Sequence, residues 1–269
     1  MQKNKRAIHH MTWREVEAAF KEDPVVILPL GSMEEHGPHS LTGDFMAATA
    51  IAEKVAEQVG AYYLPTVPFG NSEYFRGYPG TISLSQETVI SLLDDICRSL
   101  IEHGITKIMF FNGHAGNAPA IDNVARKVRR EDGVAILSMD LWQMLNPEQK
   151  KEVYGEGKDP SGHGGEPLSS MMSYLYPDDM RMDLLPTETG QLSSWKGFEI
   201  DGLTKLKIGE SKINTYLNME DISPEGIMGD PYKASAERGE KIINYIVEVG
   251  NQVVKSMQQS DMVTKKSKK

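Results

Sequence analysis

A short apolar run does most to decide what this chain can fold into. Residues 24–31 read PVVILPLG and carry no charge before the break at Gly31. An uninterrupted apolar run bounded by turn signals predicts a strand buried on both faces. The pattern recurs at Tyr62–Phe69, Lys107–Asn112 and Gly133–Met139. Between these runs the period changes to that of helices. In Asp44–Gly60 the apolar positions are Phe45, Ala48, Ile51, Ala52 and Val55. From the Ser85 N-cap to His103 they are Val89, Leu92, Leu93, Ile96 and Leu100. Asn117–Arg130 opens with Pro119 in its first turn, where the missing N–H costs nothing. Strand and helix alternating in this way predict an α/β fold, a mostly parallel sheet with helices on both faces.

The flanking regions are less regular. Residues 12–22 predict a short amphipathic helix with Thr12 as N-cap. Gly70–Leu84 is irregular. Leu145–Pro160 reads as a polar surface excursion, Glu166–Tyr176 as a helix, and Pro177–Gly226 as loops with a hairpin or two. A long helix is expected from Asp230-Pro231 to about Met257, with Ile242, Ile243, Ile246, Val249 and Val253 inward. No internal repeat or linker divides the chain, so residues 1–260 are expected as one domain and 261–269 as a disordered basic tail. Hydrophobic residues make up 39% and charged residues 25%, the balance of a globular chain with a core. The formal net charge of −9 argues against a general nucleic-acid binder. Cys97 is the single cysteine, which excludes an intrachain disulfide and fits a reducing compartment. No run approaches the ~18 apolar residues of a membrane span, and residues 1–10 lack the apolar core of a signal peptide. The expectation is a cytoplasmic protein with neither membrane nor nucleic-acid partner.

Ligands in α/β sheets bind beyond the carboxyl ends of the strands. Glu34, His36 and His114 all fall just past predicted strand ends, on that rim. Glu34 and His36 lie two apart in an extended segment and point to one side. Asp44 follows a glycine-containing turn at a helix start. His114 sits between glycines in FFNGHAGN, where close approach of a ligand is easy. His163 and Glu166 lie in the open turn SGHGGE and can divide between them the work of a ligand and a proton carrier. A plainer account also fits each position: a surface Glu, a capping Asp44, structural histidines. Taken together, Glu34, His36, Asp44, His114, His163 and Glu166 suffice for two divalent cations sharing a carboxylate. Clustered carboxylates would repel without cations. There is no GxGxxG, P-loop, GxSxG or HExxH. Cys97 falls on a helix stripe, His39 reads as supporting or structural, and Ser72, Tyr74 and Trp195 read as packing residues that could also line a pocket.

These residues resemble the creatininase (creatinine amidohydrolase) family, in a branch other than creatininase proper. The motifs are LPLGSMEEHGPHSLTGD at 28–44, PGTISL at 79–84, FFNGHAGN at 110–117, GHGGE at 162–166 and GDPYKASAERGE at 229–240. The resemblance implies a three-layer α/β/α fold, a dinuclear metal centre and a homo-oligomer, often a hexamer. It implies Glu34 and His114 as ligands of one ion, His36 as a ligand of the other, and Asp44 as the bridge. Creatininase proper adds a Glu two residues after the third motif's histidine, where this chain has Gly116. Other branches take that carboxylate from the HxGE turn. This makes Glu166 the fifth ligand and His163 the acid/base group. The first motif is one residue shorter than in creatininase, and Pro167-Leu168-Ser169 replaces the usual Glu and Thr. An aromatic–Asp pair before the HGG turn is also missing, which weighs against creatinine as substrate.

The expectation is a metal-dependent hydrolase with two divalent ions per chain, Zn²⁺ first and Mn²⁺ or Fe²⁺ next. A metal-bound hydroxide would cleave an amide or lactam C–N bond in a small polar cyclic substrate. One alternative is hydrolytic C–C ring opening of an inositol-derived cyclic diketone of the 3-dehydro-scyllo-inosose type. Another is a metal-binding or assembly protein without catalysis.

Overall fold

The computed structural model describes residues 5–264. Four strands, β1 (Val26–Leu30), β2 (Tyr62–Tyr63), β3 (Ile108–Asn112) and β4 (Leu137–Asp140), form a parallel sheet in the order β2-β1-β3-β4. Helices cover both faces, and the alternation of side chains along β1 and β3 decides which. Val26, Leu28, Leu30, Ile108 and Phe110 join the cluster built by α3 (Gln86–Glu102) and α4 (Ala118–Glu131). Ile27, Met109, Phe111 and Met139 join the opposite cluster, with α2 (Asp44–Val59) and α7 (Ala236–Gln258). Both strands are therefore buried at every position, which is why their sequences are apolar without alternation. Each fully buried Ile, Leu or Phe contributes about 1.5–3 kcal/mol relative to exposure.

Other elements differ from expectation for identifiable reasons. The second strand ends after Tyr63 instead of reaching Phe69. Pro65 and Pro68 have no N–H for a ladder, and only Val67 returns to bridge Leu30. β4 begins at Leu137, because Val134 instead bridges Val263. That pairing, with the Ala135 amide donating to the Met262 carbonyl at 2.9 Å, anchors residues 261–264, the first part of the expected tail. Residues 265–269 lie outside the described residues. The polar stretch after Leu145 contains a packed helix, α5 (Pro147–Tyr154), opened by an Asn146–Gln149 capping box and burying Val153 and Tyr154. α7 starts at Ala236 with Ser235 as N-cap. A local turn in which the Ala234 amide donates to the Pro231 carbonyl delays it.

Three further elements complete the described fold. The short α1 (Trp13–Phe20) carries a Thr12–Glu15 capping box. α6 (Leu168–Leu175) follows the HGGE turn. Residues 194–214 form an antiparallel meander, β5 (Ser194–Trp195), β6 (Phe198–Ile200), β7 (Lys205–Ile208) and β8 (Ser211–Asn214). Buried Leu206 ties it to Leu217 and Ile222. Among the described residues no helix is long and apolar enough to cross a membrane.

Candidate metal centre

β1 and β3 stop side by side, Leu30 opposite Asn112. The chain leaving β1 carries Glu34 and His36, and the chain leaving β3 carries His114. Asp44 is the first residue of α2, where the helix dipole favours a carboxylate. Its Oδ1 accepts from the Ser32 amide at 2.6 Å and its Oδ2 lies 3.1 Å from His114 Nδ1.

The centre of the arrangement is Glu34 Oε1. His114 Nδ1 lies 3.4 Å from it, His36 Nε2 3.5 Å and His163 Nδ1 3.7 Å. On each ring the other nitrogen meets a backbone carbonyl: His36 Nδ1 at 3.1 Å from Glu34 O, His114 Nε2 at 2.8 Å from Asn71 O, His163 Nε2 at 2.7 Å from Glu35 O. A carbonyl only accepts, so those nitrogens carry the proton and donate. In the neutral rings the remaining nitrogen presents a lone pair to Glu34. Metal-binding histidines are fixed in this way.

Two groups with atoms close enough to share an ion result: Glu34, Asp44 and His114, and Glu34, His36 and His163. Glu34 belongs to both, whereas the resemblance implies Asp44 as the bridge; Asp44 Oδ1 is already engaged by the Ser32 amide. Glu166 belongs to neither group. Its Oε1 accepts from Ser170 Oγ at 2.6 Å and Arg238 Nη1 at 3.1 Å, and its Oε2 is buried without a partner. It nonetheless lines the same cavity, of about 660 Å³, as the other five residues. The sequence-derived split, Glu166 ligand and His163 proton carrier, thus meets a structure that sets His163 nearer the carboxylates.

Electrostatics follow from burial. Glu34 is 2% exposed and Asp44 1%, and neither has a Lys or Arg partner among the described residues. Burial works to raise the Glu34 pKa, but His114, His163 and His36 outweigh it and hold it at about 2. Burial pushes Asp44 up to about 6. Burial lowers His36 to about 3, with His163 adding to the effect. For His114 burial opposes the charged form, and Glu34 and Asp44 overcome it and hold its pKa well above the usual value. In the unloaded centre a protonated His114 supplies the counter-charge to these buried carboxylates, and a divalent cation would take the place of that proton. The donor set, with Glu166 Oε2 free, fits such ions.

Several residues of the site escape a reading of the sequence. Alternation excludes Glu35, since its neighbours Glu34 and His36 share the other side. Gly37 turns the chain instead; the Glu35 carboxylate accepts from the Gly37 amide at 2.7 Å and stands 3.0 Å from His163 Nε2. Ser72, read as packing, donates to Glu34 Oε2 at 2.5 Å. Phe75 stacks on His163, ring centres 4.0 Å apart, and the His36 and His163 ring centres are 4.6 Å apart. Trp195 belongs to the meander's own cluster. His39 is structural, its Nε2 3.1 Å from Ser169 Oγ. At Gly116 a Cβ would stand 2.0 Å from Asn71 O and 2.5 Å from His114 Nε2, so this turn cannot carry the Glu of creatininase proper.

Fold and site together define an α/β protein with a buried carboxylate–imidazole centre at the carboxyl rim of a parallel sheet. The chain belongs to the creatininase family: the pattern described as "Creatininase: Creatinine amidohydrolase" matches residues 9–254. Creatinine amidohydrolase of Pseudomonas putida is 33% identical over 194 residues, 65% of this chain and 74% of that protein. Mycofactocin precursor peptide peptidase of Mycolicibacterium smegmatis is 30% identical over 232 residues, 83% of this chain and 81% of the relative. 3-Dehydro-scyllo-inosose hydrolase of Thermotoga maritima is 25% identical over 266 residues, 92% of this chain and 82% of the relative. Solved creatininase structures superpose at a TM-score of 0.76 for the Zn-Zn form of a mutant and 0.77 for an Mn form. Each is 25% identical and covers 94% of this chain and at least 98% of its own.

Proposed function

We propose that this chain is a divalent-metal-dependent hydrolase that cleaves a C–N bond in a small polar cyclic amide. The observation that carries the reading is the convergence of three imidazole nitrogens on Glu34 Oε1, each ring locked by a backbone carbonyl behind it. Glu34, His36, Asp44, His114 and Glu166 would hold two ions, Zn²⁺ first and Mn²⁺ or Fe²⁺ next. Such ions make water a nucleophile near neutral pH and polarise a carbonyl oxygen.

The chain's own residues supply the rest. His163, backed by the Glu35 carboxylate, has a lone pair at Nδ1 to take the proton of the attacking water and return it to the leaving nitrogen. Tyr74, Phe75 and Trp142 offer flat walls, and Asn71 and Gln86 offer amide groups. Among the described residues no Lys or Arg lines the cavity, which favours a neutral substrate over an acidic one. C–C ring opening of a neutral inositol-derived diketone is the second reading, favoured by the similarity to the inosose hydrolase over 92% of this chain.

The test combines elemental analysis with a substrate panel. Two ions per chain and chelator-sensitive opening of a ring amide are expected. Turnover of the diketone alone favours the second reading; fully loaded protein inert towards both sinks the hydrolase assignment.

A further inference from the structure

The motif at residues 229–240 contributes no atom to either ion-sharing group. Its place in the fold is behind the HGGE turn. The Met228 and Gly229 amides donate to the His163 carbonyl at 2.8 and 3.0 Å, and the Asp230 amide to the Pro160 carbonyl at 3.0 Å. The Ser235 amide donates to Ser170 Oγ at 3.1 Å. One turn later α7 lies directly on α6: a Cβ at Gly239 would stand 2.0 Å from Ser170 O. This backbone contact makes a rigid base for Arg238, the residue before it.

Arg238 occupies the first turn of α7, where a cation opposes the helix dipole at a cost of about 0.3–1 kcal/mol. Helix stability therefore does not explain the residue. Its Nη1 donates to Glu166 Oε1 at 3.1 Å and to the Lys233 carbonyl at 2.6 Å. Its guanidinium lies over the Tyr154 ring, 5.6 Å from the centroid. With Ser170 Oγ on the same oxygen at 2.6 Å, Glu166 Oε1 is saturated. The carboxylate cannot rotate, and the unpartnered Oε2 is the oxygen left for the cavity.

We infer that Arg238 is a positioning residue for the metal centre, fixing Glu166 so that its Oε2 completes the ligand set of one ion and not the other. The inference rests on the proposed reading of Glu166 as a ligand. Removing a supporting hydrogen-bond partner of a ligand typically costs about 10–100-fold in metal affinity.

The test is zinc titration of the full-length protein against a chromophoric chelator, with thermal melts of each metal-free variant as a fold control. Wild type should bind two ions. Arg238→Met should weaken one of them about 10–100-fold and leave the other within about twofold, and Arg238→Lys should restore part of the loss. Because the methionine variant leaves a buried carboxylate unpaired and could unfold, the cycle includes Glu166→Gln and the double variant Glu166→Gln with Arg238→Met. The double variant should bind zinc no more weakly than Glu166→Gln alone. Additive losses, equal weakening of both ions, or unchanged binding in Arg238→Met overturn the inference. If Glu166→Gln leaves both affinities intact, the ligand reading of Glu166 falls first, and the inference with it.

Discussion

At the scale of single residues, the histidines divide by what stands behind them. His36 and His114 have only backbone carbonyls and hydroxyls behind the donating nitrogen, whereas His163 also has the Glu35 carboxylate. Burial is the largest influence and works against a charged His163, but the hydrogen bonds to Glu35 together with the charges of Glu34 and Glu35 outweigh it and raise its pKa. A basic ring with an orienting carboxylate suits proton transfer better than permanent ligation. His163→Ala is therefore expected to keep its metal and lose about 10²–10⁴-fold in kcat, read by elemental analysis beside turnover on the best ring amide. Metal lost along with rate would give His163 the ligand role that its place beside Glu34 and His36 also permits. Which side chains gather at the rim is legible in the motifs around Glu34, Asp44 and His114. What braces them is not. Glu35 and Arg238 act through contacts across 128 and 72 residues of chain, and no local period encodes such pairs.

At the scale of elements, the sheet and the helices α2, α3 and α4 are readable because burial on both faces leaves an apolar strand and burial on one leaves a stripe. The second strand is shorter than its apolar run, since the run's hydrophobicity gives no weight to its two prolines. The meander is hard to read, since Leu206 is its one well-buried side chain and the exposed strands alternate weakly. Polar contacts between elements are invisible in the same way. Asp94 of α3 accepts from Arg98 at 3.1 Å and from Lys127 of α4 at 2.7 Å. Burial alone would raise its pKa, but these cations win and hold it below the usual carboxylate range. A depressed folded-state pKa means stability present above the unfolded value near 3.9 and lost as pH falls through the folded value. Asp94→Asn should cost about 1–3 kcal/mol at neutral pH and make unfolding less acid-dependent below about pH 4. Urea melts of both proteins at pH 7 and pH 3 check this; an equal gap at the two pH values contradicts it.

At the scale of the whole molecule, the proposed ligands come from four separated places: the exit of β1, the start of α2, the exit of β3 and the turn before α6. An ion bound by groups so far apart in sequence has no preformed site in the unfolded chain. Its binding energy then adds to folding by mass action, about 2.7 kcal/mol for an ion present at 100 times its dissociation constant. For a chain of this size each kcal/mol moves the melting temperature by roughly 2–4 °C. Two ions should therefore raise it by on the order of 10 °C over the chelated protein. Removing the ions also uncovers the like charges of Glu34 and Asp44, which the neighbouring histidines offset only in part, so the metal-free protein should regain stability as Asp44, whose carboxyl burial pushes up to about 6, takes a proton. The melting difference between loaded and chelated protein should accordingly shrink as pH drops from 7 towards 5, because protons compete with the ions for the same atoms. Scanning calorimetry with and without chelator at both pH values measures it. Identical melting with and without chelator at pH 7 would remove divalent ions from the account of this centre.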